Sequence, residues 1–199
     1  MERRLNEGNR TTKVEKGKEP TGRGGRTRTQ KDFIRRDREE RVVDIRKKTI
    51  EGLKVGDTFS LTRTFTEKEV SLFADLTHDY NPIHFEKRFA RAKSFKGLIC
   101  HGLLVASMIS EIGGQIGWLA SEMSFRFKKP VYPGETVRCH FTLTRMSEKG
   151  KAEAEAVFAT TDGTVVLEAH LKGIVPGAQE KEVMKAMVAE GDPTNKLRS

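Results

Sequence analysis

The chain has 199 residues, with 37 Lys and Arg against 28 Asp and Glu, and a formal net charge of +9. That length suits one domain with an appendage, and at 36% hydrophobic and 33% charged it is more polar than an ordinary globular domain. Two cysteines, Cys100 and Cys139, exclude a disulfide framework and a Cys-rich zinc module and fit a reducing cytoplasmic setting.

The longest apolar run, Gly97 to Ile109, is interrupted by His101 and is too short to span a bilayer, so no membrane association is expected. The polar N-terminus predicts no cleavable secretory leader. Basicity is concentrated at one end. Residues 1–48 carry 17 Lys and Arg against 9 Asp and Glu, a surplus of eight, whereas the remaining 151 residues carry 20 against 19. Gly17 to Gln30 offers Gly, Pro, Thr and Arg but nothing to bury, so residues 1–30 are expected to be disordered. Residues 31–48 form at most a solvated helix with a weak apolar stripe. Arg23-Gly24-Gly25-Arg26 resembles part of an RGG segment, yet no aromatics are interleaved with it. The arm therefore reads as a solubilising tail, and nucleic acid is not an expected partner.

The pattern changes at Thr49, and residues 49–175 read as the folded domain. Phe59, Leu61, Arg63 and Phe65 alternate as on a half-buried strand. Thr66 and Glu69 form a capping-box signature, opening a helix that buries Val70, Phe73 and Ala74. Asn81-Pro82 is expected to stop it, because the residue before proline is pushed out of the helical region. Gly102 to Ile116 predicts a second helix, apolar nearly all round and therefore buried. Strands are expected over Met123–Lys128, Thr136–Arg145, Ala152–Thr161 and Thr164–Ile174, joined by turn signals of which Asp162-Gly163 suits a hairpin. One buried helix followed by an antiparallel meander implies an α+β fold, a sheet wrapped around that helix. In the C-terminal tail, 176–199, Gln179 to Glu190 predicts a short helix with Val183, Met187 and Val188 on its apolar side.

Chemistry concentrates where the first helix ends. Asp79 and His84 lie five residues apart around a bend, so a turn can aim both at one point. The carboxylate can orient or activate a water, and the imidazole can exchange a proton near neutral pH. Gly102 opens the second helix, where unpartnered N–H groups and a missing side chain let a carbonyl approach. A donor beside an acid/base pair is what a reaction through a thioester enolate requires.

The segment Asp79-Tyr80-Asn81-Pro82-Ile83-His84, followed by Phe95 to Ser107 (FKGLICHGLLVAS) and Met123 to Glu135, resembles the MaoC-like dehydratases and (R)-specific enoyl-CoA hydratases of the hydratase 2 type. The resemblance covers about residues 50–175. It implies a hot dog fold that dimerises or forms a higher homo-oligomer. It further implies that Asp79 and His84 hold the catalytic water for syn addition across a trans-2-enoyl thioester of coenzyme A or acyl-carrier protein. Asn81 would support the loop and hydrogen-bond within the site, and the Gly102 N–H would polarise the thioester carbonyl. No cofactor is implied beyond the coenzyme A thioester that is itself the substrate. One departure stands out: position 78 is His where the family commonly has Gly or another residue, and His78 is expected to point to solvent, the alternative being an influence on Asp79 or on the pocket entrance.

Other candidates read as structural. Arg126, Lys128 and Lys129 suit either coenzyme A phosphates or a charged strand edge that discourages aggregation. His101 is expected to cap or pack, with a direct catalytic role as the alternative; His140 and His170 lie in strands, Cys100 is a small buried hydrophobe, and Trp118 packs at the end of the second helix. His and Cys do not cluster at ligand spacing, so no metal site is expected. Two other functions fit the same fold: an acyl-CoA-sensing regulator that engages nucleic acid through the basic arm, and a thioesterase.

Overall fold

The computed structural model describes residues 44–195. The expectations for 1–43, including the disordered arm and its RGG-like element, lie outside them. Five strands form one antiparallel sheet in the order β1-β3-β4-β5-β2, with β1 spanning Thr58–Thr64, β2 Leu119–Phe127, β3 Thr136–Met146, β4 Lys151–Thr160 and β5 Val165–Ile174. Helix α1 (Ile45–Glu51) precedes the sheet and begins inside the segment read as an arm. Helices α2 (Glu67–Thr77), α3 (Lys87–Ala92), α4 (Gly102–Ala106) and α5 (Met108–Ile116) lie between β1 and β2, and α6 (Ala178–Ala189) follows β5. Among the described residues no helix is long and apolar enough to cross a membrane.

The sheet closes on α5. Met108, Ile109, Ile112 and Ile116 are buried together with Phe59 of β1, Phe141 and Leu143 of β3, Phe158 of β4, and Leu167 and Leu171 of β5. On β4 the buried positions alternate as Ala152, Ala154 and Ala156, small side chains that leave room beneath the helix. Arg63 shares the inward face of β1, where Glu69 of α2 and Glu111 of α5 pair with its guanidinium.

The helix expected over Gly102 to Ile116 is divided. Ser107 ends α4 and begins α5, and its hydroxyl donates to the Leu104 carbonyl at 2.6 Å, a local bond that competes with the helical ladder. Nor is this helical pair apolar on every side. Leu103, Ser110 and Gly114 lie exposed at helical spacing.

The Thr66 capping box is present, with Thr66 Oγ1 accepting from the Glu69 amide at 3.2 Å and Glu69 Oε2 accepting from the Thr66 amide at 2.8 Å. Asn81-Pro82 does not end α2. It stops at Thr77 because His78 adopts the left-handed conformation, φ 60° and ψ 23°, and its amide returns to the Ala74 carbonyl. A left-handed non-glycine residue costs on the order of 1–2 kcal/mol. Position 78 is thus one where glycine serves without strain, and the histidine that stands there is exposed as expected.

β2 is an edge strand paired only with β5, and its register shifts between Ala120 and Glu122, leaving Ser121 as an additional residue. It begins at Leu119 rather than Met123. Gly117 closes α5 at φ 73° and lies so close to Met184 of α6 that a Cβ would stand 2.8 Å from its methyl group. Met184 therefore docks α6, whereas Val183 and Val188, expected on its apolar side, are exposed.

The two ends of the described chain meet at the far end of α5. Arg46 of α1 is buried and donates to the Gly114 carbonyl at 3.2 Å and to Thr194 at 3.5 Å, and its guanidinium stands 3.8 Å from the buried Asp192 carboxylate. Gln115 donates to the Thr194 carbonyl at 3.3 Å. Removing one partner of such a pair leaves a buried charge behind. Arg46→Ala is expected to destabilise the fold by about 3–5 kcal/mol, read as a lower urea midpoint at unchanged m-value.

Candidate active site

A short 3-10 turn, Pro82–His84, follows the loop that α2 releases. Asn81 caps it, with its side-chain oxygen accepting from the Ile83 amide at 3.2 Å, and Pro82 supplies the first turn residue with no amide to satisfy. The turn drives His84 inward, where it is 7% exposed, and its Nδ1–H donates to the Ile99 carbonyl at 2.8 Å. Because that acceptor is a carbonyl, the proton of the neutral ring sits on Nδ1 and Nε2 carries the lone pair. Burial pushes the His84 pKa below the ordinary imidazole value. The Ile99 hydrogen bond opposes that shift, and charge on His101 adds to it, while Asp79 acts in the raising direction.

Asp79 is exposed, and its carboxylate accepts from the Asn81 amide at 3.2 Å, an Asx turn that holds the loop. Tyr80 ties the same loop back to α2 through a 2.9 Å bond to Asp75. The third member is the histidine whose leading expectation is capping or packing. His101 is 1% exposed, its ring lies stacked on His84 at 3.7 Å between centroids, and its Nε2–H donates to the Asp79 carbonyl at 2.9 Å.

Asp79, His84 and His101 bring donor atoms within 4.8 Å of one another, so the expectation that these residue types would not cluster is corrected. Spacing along the chain could not show it, because 22 positions separate Asp79 from His101. Two of the four imidazole nitrogens are committed to carbonyls, so the arrangement is a hydrogen-bonded acid–base cluster.

Asp79, His84 and His101 open on a cavity of about 480 Å³ whose remaining walls are mainly apolar, among them Phe95, Ile99, Leu103, Val105, Val131 and Leu167. Gly102 belongs to the same wall. Phe127 of β2 lies against it so closely that a Cβ at position 102 would stand 2.6 Å from the ring. His101 precedes α4 without capping it through its side chain, so its ring does not meet the first amides of the helix.

The structure thus brings together Asp79, His84 and Gly102 of the sequence candidates. Asn81 does not join them: it is exposed, outside the cavity lining, and acts on the loop's own backbone. Lys128 lines the cavity but pairs with Glu168 at 3.1 Å, and Arg126 is an exposed β2 residue outside the lining. Cys100 lines it too, with burial pushing its thiol up to about 12, so it stays protonated. His140 hydrogen-bonds Ser60 at 2.6 Å and His170 stands 3.5 Å from Glu153, both remote from the cluster. Trp118 packs edge-on to Phe141 at 5.7 Å.

A family model described as MaoC like domain matches residues 53–166. The chain is 35% identical over 130 residues to an (R)-specific enoyl-CoA hydratase of Rhodospirillum rubrum, covering 63% of this chain and 90% of that protein. A mitochondrial 3-hydroxyacyl-acyl-carrier-protein dehydratase of Arabidopsis thaliana is 37% identical over 87 residues, which is 43% of this chain and 52% of its own length. Among solved structures, an (R)-hydratase from A. caviae involved in PHA biosynthesis superimposes with a TM-score of 0.60 at 31% identity, covering 63% of this chain and 99% of that one. The hot dog architecture is shared with that structure.

Titration of the imidazoles by NMR is expected to give His84 a midpoint below about 6.5, since the neutral ring is the form that burial favours. Its spectrum should report the Nδ1–H tautomer; a midpoint above that value would contradict the buried, carbonyl-bonded geometry.

Proposed function

The chain belongs to the MaoC-like domain family, and on that premise we propose that it is a hydro-lyase of acyl thioesters. It hydrates trans-2-enoyl-CoA to (R)-3-hydroxyacyl-CoA, or runs the reverse dehydration on a coenzyme A or acyl-carrier-protein thioester. Relatives named for each direction support that reaction class. One observation carries the assignment: Asp79, His84 and the start of α4 at Gly102 line one cavity whose remaining walls are largely apolar.

In this reading the water lies between the Asp79 carboxylate and His84 Nε2. As its oxygen bonds to C3 of the enoyl chain, one O–H bond breaks and the C2–C3 double bond delivers its electron pair toward C2 and the thioester oxygen. The Gly102 amide donates to that oxygen as charge builds on it. The proton returns to C2 on the same face, so the elements of one water are added and nothing is oxidised or reduced. His84 begins neutral, as a proton acceptor must. The Cys100 thiol, held protonated, does not favour a thiolate-based thioesterase reaction.

We place this reaction in the cytosol, with the two buried free thiols in support. The working unit is a homodimer joined along β2. That strand leaves one edge unpaired within the chain and exposes Leu119, Met123 and Phe127 at 69%, 42% and 53%. An exposed apolar strand edge is a ready template for pairing with a second copy.

Purified protein is expected to hydrate crotonyl-CoA, followed by loss of enoyl absorbance, and chiral analysis should return the (R)-alcohol. Asp79→Asn and His84→Ala are each expected to lower kcat by about 10²–10⁴-fold. Full rates in both would overturn the mechanism. Sedimentation should find wild type at twice the chain mass and Met123→Glu shifted toward monomer; a wild-type monomer at micromolar concentration would sink the β2 pairing.

A further inference from the structure

His101 touches both members of the acid–base pair, and neither contact is one that capping or simple packing would produce. Its ring stands 5.1 Å from Phe73 and 6.2 Å from Phe85, so its surroundings are largely aromatic, and at 1% exposure it is as buried as the hydrophobic core. A leucine or phenylalanine would fill such a place without introducing polar atoms. The histidine instead leaves Nδ1 buried with no hydrogen-bond partner among the described residues. What it gains is the 2.9 Å bond from Nε2–H to the Asp79 carbonyl and the 3.7 Å stack on His84. The loop between those contacts is short; beyond bonds within itself, it is tied to α2 through Tyr80 and Asp75 and to Ile99 through Ile83 and His84, and His101 alone reaches the backbone of Asp79 from α4's side.

We propose that His101 is a positioning residue: its Nε2–H fixes the backbone at Asp79 while its ring face sets the plane of His84, so that carboxylate and imidazole keep one relative geometry. It acts through these two groups and does not touch the reacting atoms. Reaction rates fall steeply when reacting groups are displaced by fractions of an ångström, whereas binding in an apolar cavity is less sensitive to them. The proposal therefore predicts a cost in kcat rather than in KM. It rests on the hydro-lyase reading only for the kinetic readout.

The decisive comparison is His101→Gln with His101→Met, two side chains of similar length of which only the first retains a donor. His101→Met is expected to lower kcat on crotonyl-CoA at least 10-fold with KM within about twofold, and His101→Gln is expected to recover most of that loss. Hydrogen exchange read over residues 79–84 should be about 10-fold faster in His101→Met than in His101→Gln, with β3 and β4 unchanged. If the methionine variant fails to fold, His101→Phe, which keeps an aromatic face and loses the donor, takes its place in both measurements. Equal kcat and equal exchange in the donor and non-donor variants would overturn the proposal, as would a loss carried wholly by KM. Wild-type protein inactive on enoyl thioesters would overturn the hydro-lyase reading alone, and the exchange comparison would then decide the positioning role.

Discussion

The constraint on which the rest of this molecule depends is the burial of one short helix. α5 presents Met108, Ile109, Ile112 and Ile116 to the sheet, and each fully buried side chain of this kind contributes about 1.5–3 kcal/mol relative to exposure. A nine-residue helix is marginal alone in water, so its stability derives from the strands that close on it. Among the described residues, α5 is the helix those strands pack most of their inner face against. Alanines on β4 and large apolar residues on β1, β3 and β5 answer to the same requirement, that the helix fit inside the curve of the sheet.

Seating that helix also places the chemistry. α4 leads directly into α5, so the position of Gly102 and His101 is set by the core and not by a loop. The loop carrying Asp79 and His84 is then brought to this fixed point through the Ile99 and Asp79 carbonyls. Rigid elements supply one half of the site and a hydrogen-bonded turn supplies the other. The strained His78 conformation and the Asx and 3-10 turns are the local means by which the chain reverses fast enough to reach it.

What the sequence made legible was local. The capping box at Thr66 and Glu69 needs only neighbouring residues, and the strand and hairpin patterns of β3 to β5 follow from alternation and turn chemistry. Asp79 and His84 are readable because one bend joins them, and Gly102 because a helix must begin there. The rest depended on tertiary contacts. His101 looks like a capping residue along the chain, and its stack on His84 exists only once the helix and loop have met. Asn81 matches the family motif yet acts on its own backbone, since its side-chain oxygen is taken up by the Ile83 amide and it lies outside the cavity lining. The end of α2 reads along the chain as Asn81-Pro82, because a left-handed histidine leaves no trace in composition. The exposure of β2 and of the stripe through Leu103, Ser110 and Gly114 is likewise a fact about what surrounds them, which periodicity does not report.

The additional residue in β2 carries a consequence for the shape of the site. Along a strand, successive side chains point to opposite faces, so the two ends of β2 are tied by parity. Trp118, just before the strand, tucks in beside Phe141, while Phe127, its last residue, leans on Gly102. With the shift between Ala120 and Glu122, both placements are met by one strand, because Ser121 absorbs half a repeat. Removing that residue would force a choice between the two anchors, and whichever was kept, the other ring would face the opposite side of the sheet. A single additional position in β2 thereby lets one strand seat Trp118 in the core and still present an aromatic ring beside Gly102.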